Sequence, residues 1–391
     1  MSTQARGRFT GSNASVLLDL VRGLAAALVV CSHWRNLFFV DYRNLPQNLK
    51  RGFLLPYLLT SGAHRSVVLF FVLSGYFIAG SIFRSAGQGP WNWQDYALRR
   101  IVRLWIVLIP GLLLCAAWDG LGLSLHRAPL LYAGLSGNHL MGNVATARNW
   151  PTFFGNLFFL QSIHVSTFGS DTPLWSLANE FWYYALFPMG WLALRRPTQL
   201  WVRLLCGTLF LGTAYFVGRG ILFGLPIWLL GALLYRLPPP SNRPWMRWLA
   251  AAVLVTTVYG LPNWGGNWND ILFGVISAVC IWVFLSDRQT ARERAPLSQF
   301  SRGISRFSFT VYVVHMPLLM LLASLTVGDG RWVPSPRSVA TAVAVLLSTL
   351  VYAWLIASLT EFHTDHMRQQ IERLLGMRVT RPSQHQKTLP V

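Results

Sequence analysis

Apolar stretches of spanning length recur along this chain, at about residues 16–37, 66–83, 101–118, 174–194, 200–217, 220–236, 246–262, 270–286, 304–325 and 338–359. Each reaches or approaches the roughly 20 residues a helix needs to cross the hydrocarbon core. In that medium every backbone N–H and C=O must be bonded within its own segment. The pattern therefore predicts an all-α integral membrane fold of about ten transmembrane helices. Composition agrees, with 53% of the 391 residues hydrophobic and 12% charged, and with 18 Trp and 24 Phe to serve lipid-facing surfaces and interfacial belts.

The net charge of +20 is read loop by loop. With the N-terminus inside, 22 of the 33 Lys and Arg fall on the inner side, 10 on the outer side, and Arg22 lies within the first span. The asymmetry predicts both termini inside. The expected organisation is an N-terminal segment 1–15, a membrane domain 16–360 and a basic inner tail 361–391. The tail is expected to form an amphipathic helix around Met367, Ile371, Leu374 and Leu375, lying on anionic lipid. Arg22 and His33 interrupt the first apolar run, so that run reads as a retained span rather than a cleaved signal. Cys31, Cys115, Cys206 and Cys280 lie in apolar segments without CxxC spacing, which predicts free thiols rather than disulfides or a metal site. No nucleic-acid partner is expected.

Two outer connections are long. Residues 38–65 read as a polar lid, and residues 119–173 enclose an apolar piece, Thr152 to Leu160, too short to span and re-entrant or interfacial in character. Asn263 to Asp270 form an aromatic-polar outer loop, suited to an interfacial anchor or to stacking on a sugar.

Charged and polar groups inside the spans carry the chemistry. Asp19 and Arg22 are three apart and share a helical face. Eleven residues on, His33 returns to that face about 16 Å along the axis. Ionisable groups at such depth are expensive and functional by default, with snorkelling to the interfaces as the purely structural alternative. Arg100 and Arg103 share a face where the third span leaves the interior, in a form suited to forked bonds with phosphate. In Trp175-Ser176-Leu177-Ala178-Asn179-Glu180, Pro173 starts the helix and Glu180 lies about two turns inside the outer face. An aromatic, apolar setting there suits a carboxylate to proton exchange. Ser308, Tyr312 and His315 share one polar face of the ninth span. Ser74 and Gly75 sit mid-helix, where small residues allow close helix approach.

These motifs resemble the acyltransferase 3 family. The resemblance rests on Arg22-x10-His33, Phe70 to Tyr76, Arg100-x-x-Arg103, Trp175-Ser176-Leu177-x-x-Glu180 and Ser308-x-x-x-Tyr312-x-x-His315, in that order. It implies a ten-helix bundle of the bacterial inner membrane that takes an acyl group, usually acetyl, from cytoplasmic acyl-CoA to a hydroxyl of a surface or secreted carbohydrate. The expected roles follow the resemblance. Arg22, Arg100 and Arg103 hold the donor, here acetyl-CoA or another acyl-CoA, and His33 is the general base. Asp19 fixes Arg22, and Glu180 orients the acceptor or His33. Ser74, Trp175, Ser308, Tyr312 and His315 line the cavity. Transfer is direct or passes through a covalent acyl intermediate, and no metal is expected. The acceptor class spans lipopolysaccharide, exopolysaccharide, lipid-linked sugars and small glycosylated metabolites. Many members carry paired acids where this chain reads Glu180-Phe181, and the short tail leaves no room for the esterase-like domain some members add. A secondary transporter with a His/Arg/Glu relay is the alternative class, although no inverted repeat is visible. A catalytically silent subunit of a polysaccharide machine is a third.

Overall fold

The computed structural model describes residues 12–87, 91–137, 142–260, 267–291 and 295–376. Most of the segment 1–15, His139, residues 263–266 of the aromatic-polar loop, Arg292, Arg294 and the tail from 377 lie outside the described residues. Helices α1 to α7 span Asn13–Phe38, Gln47–Leu59, Ala63–Ala86, Trp93–Leu125, Trp150–Leu157, Leu174–Leu194 and Leu200–Leu222. Helices α8 to α14 span Leu225–Leu234, Pro244–Gly260, Asn267–Phe284, Pro296–Arg306, Ser308–Thr326, Pro336–Leu359 and Thr364–Leu374. Among the described residues β-structure is confined to isolated bridges such as Ser12 with Thr290.

Among the described residues the apolar segments read from the sequence fall on helices, but six stretches are both long and apolar enough to cross a membrane. They are Asn13–Phe38, Gln47–Ala86, Trp93–Leu125, Leu200–Leu222, Ser308–Thr326 and Pro336–Leu374. α8 has 10 residues and α9 has 17, which is short for a span. The molecule is a multi-pass membrane protein. Its flanks expose apolar side chains to lipid, as at Leu204, Leu211 and Tyr215 of α7 and Leu347, Val351 and Trp354 of α13.

The centre of the bundle is a contact between α3 and α8 made possible by two glycines. A Cβ at Gly75 would sit 1.9 Å from the Trp228 carbonyl oxygen, and one at Gly231 would sit 1.9 Å from the Val72 carbonyl oxygen. Each helix presses its bare backbone onto the other, the geometry that small residues permit in membranes. The approach buries Trp228 completely, and its indole N–H donates to Ser74 Oγ at 3.2 Å.

α4 runs 33 residues, about 50 Å, and braces the opposite wall. Its side chains hold the long connection in place. Trp105 Nε1 donates to Leu157 O of α5 at 3.0 Å. Asp119 accepts from the Ser170 N–H and hydroxyl, both at 2.7 Å. Buried Asn156 donates to Thr152 O and Ser166 O and accepts from Phe168 N–H. Gln161 Nε2 then donates to Leu174 O at 2.9 Å, so the first turn of α6 is held at a set position. Asp171 ends this connection fully buried, and burial with Asp119 nearby pushes its carboxyl well above the usual range. The expected lid at residues 38–65 is a turn at Tyr42–Asn44 followed by α2. It is tied down by Tyr57 OH donating to Val40 O at 2.7 Å and by a paired Arg331–Asp41 bridge at 3.1 Å.

The tail forms a helix where one is expected. α14 turns Arg368 and Glu372 inward against α4 and leaves Met367, Leu374 and Leu375 exposed. Arg368 pairs with Glu372 at 3.4 Å and with Asp365 at 3.6 Å. The helix docks on protein through matched charges, because those charges share its i, i+3 and i+4 face.

Candidate active site

Asp19 and Arg22 of α1 form the expected pair, with Asp19 Oδ1 at 3.0 Å from Arg22 Nη2 and both side chains largely buried. α11 closes over them. Its Ser305 and Arg302 lie close enough to act on the Asp19 carboxylate, Arg302 as a second positive charge. The pairing fixes the guanidinium's direction and offsets the cost of holding two charges out of water.

From Arg22 a cavity of about 100 Å³ runs between α1, α3, α4, α6 and α12. Along α3 its lining extends from Ile78 to Val67, about 16 Å of helix. Arg22 and Arg103 stand in its wall with Ser308, while Phe70, Phe71 and Phe77 make it apolar. Ser74, Ser176, Glu180, Tyr184 and Tyr312 supply its remaining polar groups. Ser74 Oγ donates to Glu180 Oε1 at 2.9 Å, and the Tyr184 hydroxyl donates to the same oxygen. Both donors reach Oε1, and Glu180 lies in the cavity lining. Tyr312 OH donates to Pro173 O at 3.0 Å and meets Ser176 Oγ at 2.5 Å, closing the cavity beside the first turn of α6. Apolar walls with a few convergent polar groups are the form a small-molecule site takes.

The two histidines lie one ring beyond this wall. His315 is fully buried, its ring 6.3 Å from that of Tyr312, and its Nε2 is 2.8 Å from His33 Nδ1. The proton positions follow from the partners. His315 Nδ1 faces the carbonyls of Val311 and Tyr312 at 2.8 and 2.9 Å, and carbonyls only accept, so Nδ1 carries the hydrogen. His315 Nε2 is then the acceptor, and His33 Nδ1–H is the donor. The chain of bonds leaves His33 Nε2 as the nitrogen with a lone pair.

The expected residues thus divide. Asp19, Arg22, Arg103, Glu180, Ser74, Ser308 and Tyr312 meet in or beside one cavity. Arg100 does not reach it. Arg100 is buried with its guanidinium between the rings of Tyr96 and Tyr184 and donates to Ser81 Oγ at 3.1 Å. Packing explains the difference, since the two arginines are three apart, about 60° short of a full turn, and neighbouring rings take up one of them. Trp175 also lies off the lining, where it stacks on His64, itself bonded to Asp270. His315 holds His33 rather than lining the cavity. The site residues expected from the sequence did not include Tyr184 or Ser176, although each lies four residues from Glu180 and so shares its helical face. Among the described residues no cluster of three or more His, Cys, Asp or Glu is placed to hold a metal.

Fold and cavity define a multi-pass membrane protein with a polar site buried among its helices. The chain belongs to the acyltransferase 3 family, whose sequence model, described as an acyltransferase domain, matches residues 16–358, nearly the whole chain. The protein is accordingly an acyltransferase. Comparison with curated proteins and with solved structures gives no match.

Proposed function

We propose that this protein moves an acyl group, acetyl first among the candidates, from cytoplasmic acyl-CoA to a hydroxyl of a surface or secreted carbohydrate. In this reading it sits in the bacterial inner membrane, crosses it about ten times and keeps both termini inside. The observation that carries the reading is the cavity, with Arg22 and Arg103 in one wall, Glu180 and Tyr312 in another, and the His33–His315 pair one ring beyond.

The arginines bind the donor's phosphates, and the apolar stretch around Phe70 and Phe77 receives its pantetheine arm. Tyr312 is a partition, and its side chain swings aside for the thioester to meet His33. His33 Nε2 then takes the proton of the acceptor hydroxyl as that oxygen attacks the thioester carbonyl. The carbon–sulfur bond breaks, and the leaving thiolate takes that proton from the imidazolium, giving an ester and free CoA. Glu180, held by the bonds to Oε1, orients the acceptor.

Inside-out vesicles given acetyl-CoA labelled in the acetyl group test the reading. Label is expected to pass to a glycan fraction with wild type and to stay on CoA with His33→Ala. Label remaining on CoA in both, with other acyl-CoAs equally inert, would remove the donor assignment. Solute accumulation without acyl-CoA would place the chain with transporters.

The two arginines separate by experiment. Arg103→Ala is expected to raise the donor KM about tenfold or more, the loss of one charge-assisted contact to phosphate. Arg100→Ala is expected to leave the donor KM within about twofold and to lower thermal stability, because it empties a buried site between two rings. Equal KM effects at the two positions would contradict this division.

A further inference from the structure

The family match ends at residue 358, yet the next turn of chain reaches back to the helix that carries His315. α12 begins without a side-chain cap of its own, since Phe307 at its N-cap offers no acceptor. The first N–H groups of a helix have no partner inside it. Here Glu361 supplies one from 51 residues away. Its Oε2 accepts from the Thr310 N–H at 3.0 Å and from the Thr310 hydroxyl at 2.7 Å. Glu361 is buried and Thr310 fully so. A carboxylate at this end of a helix is also favoured by the helix dipole. The positive charges of Arg103 and Arg22, both in the cavity wall, act on the same carboxylate. Behind it α14 docks on α4, holding the segment to the bundle.

We infer that Glu361, outside the family-matched segment, is a positioning residue that caps α12 in trans. It thereby sets the register of Ser308, Tyr312 and His315 against α1. Thr310 is two residues before Tyr312 and five before His315, so movement of this first turn is passed directly to the tyrosine partition and to the bond that orients His33. Its charge lies on the donor's side of the cavity, where it opposes the binding of phosphate by the two arginines. Cap and charge therefore act on different steps. The kinetic part of this inference rests on the acyl-CoA reading, and the structural part does not.

The experiment uses the full chain in proteoliposomes, with Glu361→Met, which keeps the volume and removes the acceptor, and Glu361→Gln, which keeps an acceptor oxygen and removes the charge. Turnover with labelled acetyl-CoA, donor affinity and amide hydrogen exchange at Phe309 to Tyr312 are read together. Glu361→Met is expected to lower kcat about tenfold and to speed exchange of the Thr310 amide at least about tenfold, the scale of losing one helix cap. Glu361→Gln is expected to recover most of kcat and the slow exchange, while both variants bind donor about threefold more tightly. Unchanged turnover and exchange in Glu361→Met, or a Gln variant no better than Met, would overturn the proposal. If Glu361→Met does not fold, Thr310→Val, which removes the hydroxyl donor and spares the amide, is expected to lower kcat about threefold. No change in that variant would equally overturn it. A wild type inert with every acyl-CoA would refute the donor assignment, and the exchange measurement would still decide the cap.

Discussion

His33→Ala is expected to reduce acyl transfer by about a thousandfold while donor binding stays within about twofold of wild type. The magnitude is that of removing a positioned general base. The selectivity follows from place, since His33 lies beyond Tyr312 and outside the wall that contains Arg22 and Arg103. Its partner has a distinct signature. His315 holds its own hydrogen on Nδ1 against two backbone carbonyls and turns a bare Nε2 to His33. Without that acceptor, His33 loses the bond that keeps its hydrogen on Nδ1 and its lone pair on Nε2. His315→Leu is therefore expected to cost about a hundredfold in kcat. His315→Gln, whose amide oxygen accepts from His33 Nδ1–H, is expected to retain more. Single-turnover transfer of labelled acetyl and direct measurement of donor affinity check both. Wild-type-like turnover in His33→Ala would take the residue out of this role, and equal activity of the Leu and Gln variants would take the tautomer argument with it.

The largest structural effect is expected at Gly75. Gly75→Val places a Cβ where the Trp228 carbonyl oxygen already stands, and that oxygen belongs to backbone, so no rotamer change relieves the overlap. α3 and α8 must separate, which opens their shared core and draws Trp228 away from Ser74. The expected cost is about 3 kcal/mol or more, at the upper end for overpacking a buried site. Detergent-solubilised protein is expected to lose its monodisperse peak roughly 10 °C earlier on heating. Gly231→Val is expected to behave alike, because its Cβ would meet the Val72 carbonyl in the same way. Gly212→Ala in α7, with open space around it, serves as the control and is expected to be neutral. A Gly75→Val protein as heat-stable as the control would show that the helices yield at this crossing.

Much of the site was legible in one dimension because helices convert spacing into direction. Asp19 and Arg22 at i, i+3 are the pair found, and the faces read through Glu180 and through Ser308 and Tyr312 do turn to one cavity. The same rule reached too far for Arg100, since a shared face does not tell which of two neighbouring side chains is taken up by the rings of Tyr96 and Tyr184. It also missed the inward face of α14, where buried charges replace the apolar stripe that periodicity looks for.

What the sequence by itself determined is the set of helices and the charged faces they carry. Apolar length and the need to bond every backbone group within a segment leave a chain in lipid little other choice. Tertiary structure alone decided which faces meet. His33 and His315 are 282 residues apart, and Glu361 and Thr310 are 51 apart. Neither pairing leaves a local trace, because the contact depends on how helices cross and on the small residues that let them approach. Periodicity specifies a direction around each axis, and only packing specifies what stands opposite.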